Sequence, residues 1–378
     1  MRDWVELRAC DLDSLIAPEH LARSVWQFVQ SLDLGELHKG IRAVEGRPGR
    51  PPIDPAILVA LWLYATLDGV GSARELARLC DSEDAYRWLC GGVVGVNHHT
   101  LSNFRVEQAL WLDEQLTRSV AALLAQGAVT MNRVAQDGLR IRAHAKAASF
   151  RRRERLQQLL QDARERVKVL KKEVADKDDA AAKDKAPPKA VRVSTTDADA
   201  RVMKMADGGF RPAFNAQLVV DTATQFITAA ALSNVGSDMN QMAPMMDDVR
   251  QRYGIVPSQW LADGGFARHE QIEAVAAAGC TPYLLVMAAT NDARDPHTPR
   301  EGDSAAIAQW RERMASDQAR AIYKERGASV ECANAQLRRR DLWRFNVCCP
   351  VKARAVLLWH ALAHNLQRMI ALDLVPQN

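Results

Sequence analysis

LADGG, residues 261–265, ends an aliphatic run in Asp263 and follows it at once with two glycines. Such a pattern places a carboxylate at the mouth of a buried strand, where the turn behind it leaves room for a metal ion or a phosphate. Two comparable settings flank it. VAQDGLRIRAH (134–144) carries Asp137 in a strand-like run, and YKERGASVECANAQLRRR (323–340) carries Glu331 on a predicted helix among arginines. Three separated carboxylates, one amid basic residues, suit a two-metal phosphoryl-transfer site, because paired divalent ions need acids that converge only in the fold. The first expectation is an enzyme that acts on nucleic acid.

Around these acids the pattern is that of a mixed sheet. VTMNRVAQDGLRIRAH, AFNAQLVVD and FITAAALSN read as three consecutive strands within 129–145 and 213–233. The period then lengthens to a Met-rich helix at 238–252, a strand at 258–262, a helix at 268–278 and a strand at 283–287, with a last helical block from Val351 to Leu372. Three strands followed by alternating helix and strand imply a mixed sheet with helices packed on it.

The first 125 residues read as helical. Ile53–Leu67 is apolar enough for a buried helix and opens on Asp54 and Pro55, a cap and a first-turn residue. Ser72 and Glu75 form a capping-box pattern before SARELARLC, SEDAYRWL makes a short helix that stops at Gly91 and Gly92, and NHHTLSNFR opens a long helix to about Leu124. Short helices in tight turns, ending in a segment rich in Asn, His, Thr, Ser and Arg, resemble a helix-turn-helix that offers polar side chains to base edges. A plain helical bundle has the same shape. His98, His99, Ser102, Asn103 and Arg105 are the candidate DNA contacts.

Composition permits this reading and removes rivals. At 378 residues, two domains are expected. With 48% hydrophobic and 25% charged residues the chain is an ordinary globular one, and its net charge of +4 pulls only weakly toward a polyanion. The opening MRDWVELRACDLDSL lacks the basic end and apolar stretch of a secretion signal, and no run reaches the roughly eighteen apolar residues of a membrane span. The seven cysteines show no CxxC spacing, which fits reduced thiols in a cytoplasmic protein. One segment, 150–190, stands apart. Leu156, Leu160, Ala163, Val167, Leu170 and Val174 follow a short heptad seam, 151–175 hold nine Lys or Arg against four acids, and KDDAAAKDKAPPKA is linker-like. It reads as a solvated helical arm, with DNA contact as the alternative.

Taken in order, VAQDGLRIRA, DADARVMK, FRPAFNAQLVVD, LADGGF and YKERGASVE resemble the DDE transposases of bacterial insertion sequences. The nearer branch is that with a Tyr-Arg-Glu-Lys signature, the insertion-sequence four and five superfamilies. Here the signature reads Tyr323, Arg326, Glu331 and Arg338, with arginine in place of the usual terminal lysine. The resemblance extends to RPPIDPAILVALWLYATLDGVGSARELARLC (50–80) and to HALAHNL (360–366). It implies an α/β, ribonuclease H-like mixed sheet flanked by helices, with an all-helical DNA-binding domain at 1–127. The catalytic domain would be 128–372, interrupted at 150–190. The first acid is expected on the first strand, the second at the end of the fourth and the glutamate on a later helix. Asp137, Asp263 and Glu331 would share two Mg²⁺ ions, with Mn²⁺ as a substitute, while Tyr323, Arg326 and Arg338 assist and the arginines clamp phosphates. Partners would be double-stranded DNA, both element ends and target, and further copies of the chain assembled on it, in the bacterial cytoplasm near the nucleoid. The alternatives are a DNA-binding protein derived from a transposase and a metal-dependent nuclease that does not join.

Several residues carry plainer readings. Asp221, after AQLVV, is also an acid at a strand end and rivals Asp137 by periodicity, whereas motif order favours Asp137. Asp197 and Asp199 read as turn or capping acids. His360 and His364 have the i, i+4 spacing of a zinc pair but lack the Glu of HExxH, and read as core or surface histidines. GGVVGV at 91–96 lacks the Lys-Ser/Thr of a phosphate loop.

Overall fold

The computed structural model describes residues 11–40, 52–92, 95–144, 153–181, 196–197, 199–287 and 294–376. Seven helices come first: α1 (Leu21–Gln30), α2 (Gly35–Lys39), α3 (Pro55–Leu67), α4 (Ala73–Ser82), α5 (Asp84–Leu89), α6 (His98–Glu107) and α7 (Ala109–Ala125). Local chemistry sets their starts. Asp54, Ser72 and Asn97 each accept a backbone N–H of the first turn of α3, α4 and α6. The long helix expected from NHHTLSNFR is two, because the backbone of Gln108 leaves the helical region between α6 and α7. α3 is apolar all round and correspondingly central, with Val59, Ala60, Leu61, Trp62 and Leu63 fully buried.

The sheet follows, built from β1 (Arg133–Arg142), β2 (Arg201–Lys204), β3 (Phe210–Asp221), β4 (Ile227–Ser233), β5 (Gln259–Ala262) and β6 (Thr281–Leu284). β1 and β3 pair antiparallel at the centre. β2 and β4 lie beyond β3, and β5 and β6 continue on the other side of β1, parallel to it. The sequence reading lacks β2, so the strand that precedes Asp263 is the fifth in chain order rather than the fourth. A β2 of four residues, with little alternation, leaves little to read. β6 ends at Leu284 and starts two residues earlier than YLLVM suggests.

Helices α8 (Arg153–Ala181), α9 (Met242–Tyr253), α10 (His269–Ala277), α11 (Ala305–Ala315), α12 (Asp317–Arg326), α13 (Cys332–Arg339) and α14 (Pro350–Ala371) complete the chain. α8 is the charged arm: Leu160 and Val167 of its seam are exposed, while Leu170 is buried. The seam residues Leu156 and Val174, like the linker residues 182–190, lie outside the described side chains. α14 touches α3, α6 and α7 as well as β4, so one buried apolar cluster runs from the N-terminal helices to the sheet. Two indoles fasten α6 to this core, Trp62 Nε1 donating to the Leu101 carbonyl at 3.0 Å and Trp359 Nε1 to that of Arg105 at 2.9 Å. Among the described residues no helix is long and apolar enough to cross a membrane.

Candidate active site

Strand register brings the first two acids together. β1 and β5 run parallel with Arg133 level with Gln259 and Ala135 with Leu261. Continuing that register by two residues on both strands sets Asp263 level with Asp137 on the same face, since side chains alternate and adjacent strands lie about 4.8 Å apart. Asp137 sits inside β1, opposite Leu218 of β3, whereas Asp263 stands just past the end of β5. There it caps a single 3₁₀ turn, accepting the Gly265 N–H at 2.7 Å, and a Cβ at Gly265 would lie 2.9 Å from Asp263 Oδ1 and push the carboxylate aside.

Glu331 arrives from the other side. α12 and α13 form one continuous helical run interrupted by a wide π-type turn, Gly327–Glu331, a local insertion that turns side chains out of the regular helical order. Gln225 Nε2 donates to the Ala328 carbonyl at 2.8 Å, and Ser329 Oγ to that of Glu325 at 2.8 Å, which hold the turn over β1 and β3. Arg133, at the start of β1, pairs with Glu325 and anchors the end of α12.

Arg326 is the hub of the cluster. Its guanidinium bonds Glu331 at 2.6 Å, reaches Asp137 at 3.9 Å and lies over the Tyr323 ring at 5.6 Å. Asn334, one turn beyond Glu331, donates Nδ2 to Asp137 Oδ2 at 2.8 Å. The helical spacing of residues 331, 334 and 338 gives Arg338 the same face, with its guanidinium over the exposed Trp343 ring at 5.3 Å. Asn334 was not among the residues expected from sequence; its signal is the three-residue spacing from Glu331.

Burial dominates the electrostatics of Asp137 and raises its pKa to about 6; Arg326 and the Gly138 N–H oppose the shift, and the neighbouring Asp263 and Asp238 add to it. Asp238 belongs to a second buried network behind β1, where it accepts from Asn215 at 2.7 Å, from Gln217 at 2.8 Å and from Arg140 at 3.2 Å. A Cβ at Gly138 would lie 2.4 Å from its Oδ1, so only glycine fits beside Asp137.

These residues offer the oxygen donors that a hard divalent cation takes, and two carboxylates set side by side repel one another unless a cation lies between them. Asp137 and Asp263 therefore fit a metal. Among the described residues, however, no three His, Cys, Asp or Glu side chains are gathered closely enough to hold one. Glu331 is half exposed and paired with Arg326.

The rival readings separate here. Asp221 caps the β3–β4 turn, accepting both the N–H and the hydroxyl of Thr224, on a buried site away from Asp137. Asp197 accepts the Cys349 N–H at 3.3 Å. His360 and His364 are core residues bonded to the carbonyls of Val356, Arg340 and Gln225, and burial lowers the pKa of each to about 4. On α6, His99, Ser102 and Asn103 are exposed and His98 partly so, its ring 4.1 Å from that of His99. Arg105 departs from the expected DNA face. It is buried over Trp62 and donates to the Gly71 carbonyl and to Asn346, because its position on α6 faces α3 rather than solvent.

Two family models match the chain. The model described as a transposase DDE domain matches residues 188–366, which include Asp263, Tyr323, Arg326, Glu331 and Arg338, and a second transposase domain model (DUF772) matches 10–107. Both matched models are transposase domains, and together they support a DDE transposase. Asp137 precedes the first match and joins its residues through the pairing of β1 with β5. No curated protein matches the chain. Two solved structures are similar at low identity. The Mos1 transposase paired-end complex with left transposon end is 10% identical, covering 89% of this chain and 84% of that one at a TM-score of 0.19. A pre-cleavage Mos1 transpososome is 11% identical, covering 91% and 86% at 0.17.

Proposed function

We propose that this chain is a transposase that binds the ends of an insertion element and both cleaves and joins DNA strands at one site made by Asp137, Asp263 and Glu331. The observation that carries the reading is the β1–β5 register, which sets Asp137 beside Asp263 and under the helix that presents Glu331. The sheet order, with its central β1, supports a ribonuclease H-like catalytic domain at 128–372, and the spacing of Tyr323, Arg326, Glu331 and Arg338 supports the Tyr-Arg-Glu-Lys branch. Bound by the three acids, two Mg²⁺ ions, or Mn²⁺ in their place, would supply an activated water or 3′-hydroxyl and Lewis-acid stabilisation of the leaving oxygen.

The chain's own groups do the rest. Asn334 holds Asp137 by its Oδ2 and so fixes the direction of the other oxygen. Arg326 neutralises Glu331 until the acid is needed, then faces the non-bridging phosphate oxygens, where negative charge grows in the transition state. Arg338, on the same helix face, adds a cation further along the DNA path. The exposed face of α6, with His98, His99, Ser102 and Asn103, would meet the terminal repeats. Further copies of the chain assembled on the DNA, in the bacterial cytoplasm, complete the reading.

The test uses the full chain and a terminal-repeat duplex. Asp263→Asn should retard the duplex in a gel shift as wild type does, while strand cleavage in Mg²⁺ is lost. Retained cleavage removes Asp263 from the mechanism.

A further inference from the structure

Beyond α13 the chain turns sharply through Arg340 and Asp341, the latter with a positive φ of 66°. This turn is stitched to the end of β1, Arg142 donating to the Trp343 carbonyl and Phe345 donating to that of Arg142. Between it and the α3–α4 connection lies a cavity of about 300 Å³, lined among others by Gly71, Arg105, Arg340, Asp341, Arg344 and His360. None of these residues belongs to the acid site.

The cavity is short of negative charge. Arg105 and Arg340 are 5% and 6% exposed. Arg105 directs Nη1 to the Gly71 carbonyl and Asn346, yet its Nε is buried with no partner among the described residues, and neither has Arg340 Nη1. The open space is where an anion would sit: a Cβ built on Gly71 meets nothing nearer than 3.9 Å, and at that distance it finds Arg105 Nη2, the Asn346 amide nitrogen and Asp341 Oδ2. On the acid side stand Asp341 and Glu75, and Glu75 is engaged by Arg78. Burial lowers the pKa of Arg105 and of Arg340 to about 10, and Asp341 opposes this weakly for Arg105. Buried His360 is uncharged at neutral pH and contributes no compensation. Buried guanidinium donors left unpaired are the groups that a tetrahedral oxyanion satisfies, since the fork of N–H groups matches two oxygens at once.

We infer that this cavity binds a phosphate-class oxyanion between Arg105 and Arg340, at the junction of the N-terminal helices and the turn that leaves α13. Inorganic phosphate and a DNA backbone phosphate share this chemistry. Occupied, the site would tie α4 and α6 to the end of the helix whose other end presents Glu331.

The experiment is calorimetric titration of inorganic phosphate into the full chain at constant ionic strength in chloride, with acetate as the comparison anion. Wild type should bind phosphate saturably, and Arg340→Gln and Gly71→Leu should each weaken binding at least ten-fold. Gly71→Leu fills the cavity without removing charge, so it stands if Arg340→Gln does not fold. A parallel titration with terminal-repeat duplex already bound separates the sources: loss of phosphate binding assigns the site to a backbone phosphate, and persistence assigns it to the free ion. Acetate binding as tightly as phosphate, no saturable binding, or unchanged binding in the folded variants would overturn the inference.

Discussion

The two ends of α13 are electrostatic opposites. At its beginning, Asp137 lies beside Asp263, with Glu331 beyond Arg326, and burial raises the pKa of Asp137 to about 6. At its end, Arg105 and Arg340 leave positive charge buried, and their pKa values are lowered to about 10. In both places burial pushes a charged group toward neutrality. They differ in what already compensates. The acid end has Arg326 inserted between Asp137 and Glu331, so its acids are held apart from one another by a protein cation. At the arginine end the acids of the cavity are Asp341 and Glu75, and Glu75 is already engaged by Arg78. An acid cluster bridged by an arginine is a site whose ligand must displace something, whereas the arginine cavity keeps buried N–H groups without a partner among the described residues.

The largest effect is expected at the bridge. Arg326→Ala should slow cleavage of bound DNA by about 10²–10³-fold, the range for losing one preorganised group that stabilises transition-state charge. Single-turnover rates at saturating enzyme check this; an unchanged rate with weakened DNA binding makes Arg326 a docking contact and breaks the contrast between the two ends.

A smaller effect should appear in stability without metal. The folded-state pKa of Asp137 is raised above its ordinary 3.8, so its buried charge is a penalty fully present above about pH 6 and relieved as pH falls toward 4. Asp137→Asn removes that penalty and should stabilise the metal-free fold by about 3 kcal/mol at pH 7, and by less at pH 5, while abolishing cleavage. Urea denaturation in chelator at the two pH values measures both. Divalent-ion binding to wild type should weaken as pH drops below about 6, where the proton competes for Asp137.

The smallest effect concerns the acid that periodicity alone could not separate from Asp137. Asp221→Ala should cost about 1 kcal/mol of stability through the lost bonds to Thr224 and leave cleavage per folded molecule unchanged. A cleavage defect there would extend the acid site to the β3–β4 turn.

The three acids were legible because each sits at a break in a pattern: Asp263 after an aliphatic run, Asp137 inside one, Glu331 among arginines. Helix caps at Asp54 and Ser72 were equally local and equally readable. What sequence withheld is what depends on packing. Gln108 ends α6 with no glycine or proline to mark it. α12 escapes a hydrophobic pattern because Ala319 is the one buried residue of its ten, whereas α11 has a signal in the spacing of Ile307, Trp310 and Met314. Arg105 looked like a DNA contact from its polar neighbours, yet one helical face decides between solvent and Trp62. The cavity was invisible because residues 71, 105 and 340 meet only in the folded chain.

The central claim is that Asp137 and Asp263 act together to hold a divalent cation. Mn²⁺ binding to the full chain, followed by electron paramagnetic resonance at pH 7.5, a value chosen about 1.5 units above the Asp137 pKa, tests it without reliance on DNA or turnover. Wild type should take up Mn²⁺ with a broadened bound signal, and Asp137→Asn and Asp263→Asn should each lose it. Equal Mn²⁺ uptake by wild type and both folded variants would contradict the account.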